Sequence, residues 1–166
     1  QVITGGDLTM DSYPDLLAIE DDALYLFPGT AGGQLGAPTK IGTAGWSGME
    51  LLAPGDVNGD GLGDMWTRRK SSGDIYQYLN DPLNPGTRLG TGSNAQDIGS
   101  GVTTTGYPSV AAAGDGNQDG HPDLWTTATS DDHLHFFVGT GSNSTGFTPG
   151  ADVSGAGWTT TIKKIA

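Results

Sequence analysis

Residues 56–64 read Asp-Val-Asn-Gly-Asp-Gly-Leu-Gly-Asp, and the same spacing of aspartates recurs at 115–123 (DGNQDGHPD) and at 7–15 (DLTMDSYPD). Asp stands at the first, fifth and ninth place each time. Each segment is entered through a Gly-Asp pair, and their starts are 49 and 59 residues apart. Self-similarity at such a period marks a repeat architecture. The flanks repeat as well: DLLAIE, DMWTRR and DLWTTA begin on the ninth-place Asp, and after a polar turn come LYLF, IYQY and LHFF, with Phe27, Tyr78 and Phe137 in matching places. Short β-branched, aromatic and leucine-rich runs bounded by turns read as hairpins. Turn-rich connections (FPGTAGG, YLNDPLNPG, FVGTGSN) then lead to a weaker strand, such as 37–41 or 147–153, and an apolar segment (QVITG, MELLAP, YPSVAAA) precedes each Gly-Asp.

The unit is thus strand, acidic loop, strand, turn, strand, connection, strand over about 50 residues, which suits a four-stranded propeller blade. The expected fold is all-β: β-propeller blades of four antiparallel strands, about three blades plus one extra strand, part of a larger ring such as a seven-bladed one. The chain, 1–166, is read as one propeller segment with units at about 1–45, 46–105 and 106–157 and an orphan strand at 158–166. Closed propellers take about four to eight blades. The remaining blades are therefore expected from a nicked or longer parent chain, which is favoured, or from a symmetric partner chain.

Composition agrees with many turns: 29 of 166 residues are glycine and 9 are proline. No run of eighteen apolar residues is present, so no membrane insertion is expected. With no basic, apolar leader at Gln1, the chain is expected to be soluble and, if exported, mature. Cysteine is absent, which removes disulfides and thiolate metal sites. A formal charge of −12 opposes binding to nucleic acid through any general field.

Nine of the nineteen acids fall in the three loops, and carboxylates so crowded repel unless a cation neutralises them. Calcium takes about six to eight oxygens. In the second loop Asp56, Asn58, Asp60 and Asp64 offer side-chain oxygens and Leu62 its carbonyl, while Gly59 and Gly61 allow the bend. In the third, Asp115, Asn117, Asp119 and Asp123 do so with the His121 carbonyl. The first keeps Asp7, Asp11 and Asp15, with Thr9 in place of Asn, Tyr13 at the carbonyl place and Ser12 in place of glycine. Up to three structural calcium ions are expected. An EF-hand would need Glu at the twelfth place, which holds Ala18, Thr67 and Thr126.

On these D-x-N-x-D-G-x-x-D loops and the strands around them the chain resembles the FG-GAP or VCBS repeats of integrin-type, calcium-loop β-propellers, as seen in secreted bacterial proteins. The resemblance implies an extracellular, non-catalytic binding module that recognises glycan or protein ligands through loops between blades. The alternative it implies is the propeller part of a secreted carbohydrate- or lipid-active enzyme, a lyase or hydrolase.

Other residues receive plainer readings. Asp131, Asp132, His133 and His135 resemble a transition-metal or acid–base cluster, but the repeat assigns them to a hairpin turn and strand. Trp66 and Trp125 align with Leu17 as core residues. Trp46 and Trp158 are packing groups or sugar-stacking platforms. Arg68-Arg69-Lys70 is read as a solvated hairpin end, residues 139–146 as a turn, and Asn143-Ser144-Thr145 as a formal glycosylation sequon. No nucleophile elbow or H-E-x-x-H motif occurs.

Overall fold

A computed structural model describes residues 1–112, 114–141, 146–153 and 155–160. Fourteen strands are formed: β1 (Val2–Gly6), β2 (Asp15–Glu20), β3 (Ala23–Phe27), the short pair β4 (Gly29–Thr30) and β5 (Gln34–Leu35), β6 (Thr39–Gly42), β7 (Met49–Gly55), β8 (Asp64–Arg69), β9 (Ile75–Tyr78), β10 (Ala95–Gly99), β11 (Val110–Ala112), β12 (Leu124–Ala128), β13 (His133–Gly139) and β14 (Phe147–Asp152). They make three four-stranded antiparallel sheets, β1-β2-β3-β6, β7-β8-β9-β10 and β11-β12-β13-β14, beside the small β4-β5 pair. Among the described residues helix is confined to 3₁₀ segments at Trp46–Gly48, Thr87–Gly90 and Gly92–Asn94. The all-β reading with four-stranded blades is borne out. The described residues close no ring, and 161–166, which carry most of the expected orphan strand, lie outside them, as do 142–145 with the sequon.

The repeat fixes the register. Phe27 pairs with Leu16, Tyr78 with Met65 and Phe137 with Leu124, each one residue after the ninth-place Asp. Because side chains alternate across a strand, neighbouring residues of the second strand serve opposite interfaces. Leu17 and Met65 meet in the core between the first two blades, whereas Trp66 and Leu124 belong to the core between the second and third. The middle blade is covered on both faces, so Asp64 to Arg68 is buried throughout.

Burial on both faces overturns one expectation. Arg68 is not solvated: it is 1% exposed. Its guanidinium pairs with Glu50 on the adjacent strand, Nε at 2.8 Å from Oε2, and Nη1 donates to the Tyr107 carbonyl at 2.5 Å. Trp125 also departs from expectation. It is only half-buried, tilted against Phe136 at 4.7 Å between ring centroids, because it occupies the face of the third blade turned away from the second.

Trp46 is packing: it is 6% exposed and lies 5.6 Å from the Tyr78 ring centroid. A clasp holds it there. The Asp22 carboxylate accepts from the amides of Gly45 and Ser47 (both 2.9 Å), and the Asp22 carbonyl accepts from Trp46 N. The third blade repeats the device, with Asp132 on Gly157, Thr159 and Trp158. In the second, the Gly73 carbonyl takes the amide of Val102. The long connection after β9 is also not free. Its Leu89 is fully buried in the first core, and Asn80 Nδ2 donates to the carbonyls of Leu8 and Gly63 at 3.0 and 3.2 Å, sealing the first two blades together.

Candidate metal centre

Each acidic loop joins the first two strands of its blade, and all three share one hydrogen-bond frame. The first-place Asp accepts from the amides of the fifth and sixth places: Asp7 from Asp11 and Ser12 (3.1 and 2.7 Å), Asp56 from Asp60 and Gly61 (3.2 and 2.7 Å), and Asp115 from Asp119 and Gly120 (3.0 and 2.7 Å). The fifth-place Asp accepts from the seventh-place amide at 2.9 Å in every loop, through Tyr13, Leu62 and His121. At the third place Asn58 and Asn117 accept from the fifth-place amide at 3.0 Å and donate Nδ2 to the carboxylates of Asp60 and Asp119. Thr9 cannot copy that bridge. Its Oγ1 is buried without a hydrogen-bond partner.

The bend is made in the same way each time. The fourth and sixth places take left-handed φ: Met10 64° and Ser12 75°, Gly59 78° and Gly61 87°, Gln118 64° and Gly120 93°. Ser12 therefore adopts the conformation its glycine counterparts adopt, at a cost of about 1 kcal/mol.

The ninth place is different. Asp15, Asp64 and Asp123 are 0%, 1% and 0% exposed. One oxygen of each accepts amides at the start of its own loop, and the other accepts an amide at or just beyond the end of the blade's third strand: Gly29 at 2.7 Å, Asn80 at 2.7 Å and Gly139 at 2.8 Å. Glycine at 29 and 139 permits this approach, since a Cβ there would stand 2.2 and 2.0 Å from the carbonyls of Pro14 and Pro122. These aspartates fasten the loop to the blade, while the first, third and fifth places of the second and third loops face solvent.

The donor set fits a hard dication. It offers oxygens on short side chains in a preformed bend, and a carboxylate carrying amide bonds keeps lone pairs for an ion. Negative charge is dense: burial pushes the Asp64 carboxyl up to about 6, Asp60 and Asp56 add to the rise, and the amides of Asn80 and Val57 oppose it. In the third loop desolvation works against ionisation of Asp115, but the amides of Gly120, Asp119 and Gln118 hold it below the usual carboxylate range. Asp7, Thr9, Asp11, Tyr13 and Asp15 would hold an ion in the first loop. The corresponding sets at 56–64 and 115–123 would hold the second and third, the ion supplying charge neutralisation.

Between the second and third blades, next to two of these loops, lies a cavity of about 240 Å³ lined by Asn58, Trp66, Gln77, Gln96, His121 and Phe147. Trp66 Nε1 donates to Gln77 Oε1 at 3.1 Å, and Phe147 packs edge-on to Trp66 at 5.2 Å. On the inner side, β1, β7 and β11 line a second concavity of about 440 Å³, whose lining includes Glu50, engaged by Arg68. Sequence patterning did not signal either cavity, because both are formed between blades.

Blades of four antiparallel strands, each with one acidic loop between its first two strands, define a β-propeller-type repeat protein. Residues 7–67, from the opening Asp of the first loop into β8, match the FG-GAP-like repeat family, and the chain carries an FG-GAP-like repeat there. No curated protein matches the chain. Repeats of this kind are typical of extracellular interaction modules and are generally associated with calcium. Among the described residues no helix is long and apolar enough to cross a membrane.

Proposed function

We propose that the chain is a secreted, calcium-stabilised binding module that recognises glycan or protein ligands through surfaces between its blades. The observation carrying this reading is the shared frame of the three loops, in which side chains at the first and fifth places keep oxygen capacity while the ninth-place carboxylate ties loop to blade. Calcium at these positions is structural, because every donor comes from one segment and the ion braces a hairpin. Ligand recognition is assigned to the cavity between the second and third blades, where amide side chains, an imidazole and two aromatic rings converge, a lining suited to hydroxyl-rich ligands. Further blades, from a longer or nicked parent chain, would cover the outer faces at Leu16 and Trp125.

The test is a thermal melt with and without chelator, followed by a glycan array in calcium. A calcium-dependent rise in the melting temperature is expected. A melt unmoved by chelator overturns the calcium reading, and a blank array together with a failure to retain any protein ligand overturns the recognition reading.

A further inference from the structure

The third blade departs from the other two at one surface position. On the strand after the hairpin turn, Tyr25 pairs with Ala18, Tyr76 with Thr67 and His135 with Thr126, so the three are equivalent. In the first two blades a cation covers the tyrosine: Lys40 Nζ lies 5.2 Å from the Tyr25 ring centroid, and the Arg69 guanidinium 4.8 Å from that of Tyr76. In the third blade both partners change character. His135 Nε2 lies 2.8 Å from Asp131 Oδ2, and His133 Nδ1 lies 2.5 Å from Asp152 Oδ2.

The fold brings these four groups together. Alternation along β13 puts His133 and His135 on one face, Asp152 on β14 is paired with His135, and Asp131 stands at the turn that begins β13. Ligand atoms of Asp131, His133 and Asp152 all lie within 4.8 Å of one another. Two of the chain's three histidines are gathered there.

We propose that Asp131, His133 and Asp152, with His135 orienting Asp131, form a binding site for a transition-metal dication of the zinc type, separate in place and chemistry from the acidic loops. One imidazole nitrogen and two carboxylate oxygens supply three of the four places zinc takes, at about 2.0–2.2 Å from each donor, and water would take the fourth. Calcium, which selects oxygen, is poorly served by such a set. Binding releases the proton of the His133–Asp152 contact to solvent, and the three donors, which lie within 4.8 Å of one another, adjust to surround the ion. The imidazoles are only partly covered, with side-chain exposures of 26% and 22%, so an ion reaches them from solvent without opening the blade.

Zinc chloride titrated into the whole chain by calorimetry, with calcium saturating, tests this. One zinc ion per chain is expected. His133→Ala and His135→Ala should each weaken binding by at least about tenfold, the first by removing a donor and the second by freeing Asp131. His133→Gln, which keeps a polar partner for Asp152, serves as a second variant and should melt like the parent in calcium yet lose zinc. No uptake by the parent, or uptake unchanged in the His133 and His135 variants, overturns the proposal.

Discussion

Asp64 holds the amide of Asn80 at 2.7 Å across sixteen positions of sequence, and with its other oxygen it holds Val57 at 2.9 Å. One buried carboxylate thus ties the start of an acidic loop to the far end of the adjoining hairpin. Asp15 and Asp123 do the same in their blades.

Position nine and position five should therefore fail differently. Asp60→Ala should lower the melting temperature in calcium but barely change it in chelator. Asp64→Ala should cost about 1–3 kcal/mol even in chelator, because buried amides lose their acceptor, and more in calcium, where a donor is also lost. If calcium occupies a loop at a hundred times its Kd, the site adds about 2.7 kcal/mol by mass action. Melts of the two variants with and without chelator separate the roles, and identical behaviour would contradict the division.

Ser12 is held at φ 75°. Ser12→Gly should stabilise the protein by about 1 kcal/mol, since glycine occupies that region without penalty. Gly61→Ser in the second loop should cost a similar amount. Urea unfolding midpoints check both signs.

Arg68 is buried against Glu50 and carbonyls of the connection that follows β10. Arg68→Ala should destabilise by about 3 kcal/mol, and Arg68→Lys should recover only part of this, because an ammonium cannot reproduce the fork. A loss under about 0.5 kcal/mol would return Arg68 to the solvated role its neighbours suggest.

The Gly45 amide, the Ser47 hydroxyl and the Ser47 amide hold the Asp22 carboxyl down at about 2. A carboxyl depressed in the folded state contributes its stability above the unfolded value near 3.8 and loses it as pH falls toward 2. The difference in urea midpoint between the parent and Asp22→Asn should therefore be constant above about pH 5 and shrink below pH 4. A difference independent of pH would show that the clasp does not need the charge.

The three sheets and their loops were legible because a nine-residue acidic frame repeats with hairpin flanks of fixed register, so Phe27, Tyr78 and Phe137 could be matched from spacing alone. Arg68 was not. Its strand reads like its neighbours, and what buries it is a second interface plus carbonyls more than thirty residues away. Leu89 was hidden for a related reason, since its connection has no strand periodicity and is ordered by contact with the preceding blade. The ninth-place aspartates were recognised as acidic, but a carboxylate that caps backbone amides has the same letter as one that faces solvent.

Two cores, one on each side of the middle blade, imply a particular kind of cooperativity. Contacts pass from each blade to its immediate neighbour, as in a one-dimensional array whose stability is a sum of unit and junction contributions. Damage at Trp66 or Leu124 should loosen the second junction while amide protons around Leu17 and Met65 stay protected from exchange. The middle blade, having a junction on either flank, should be the last to open.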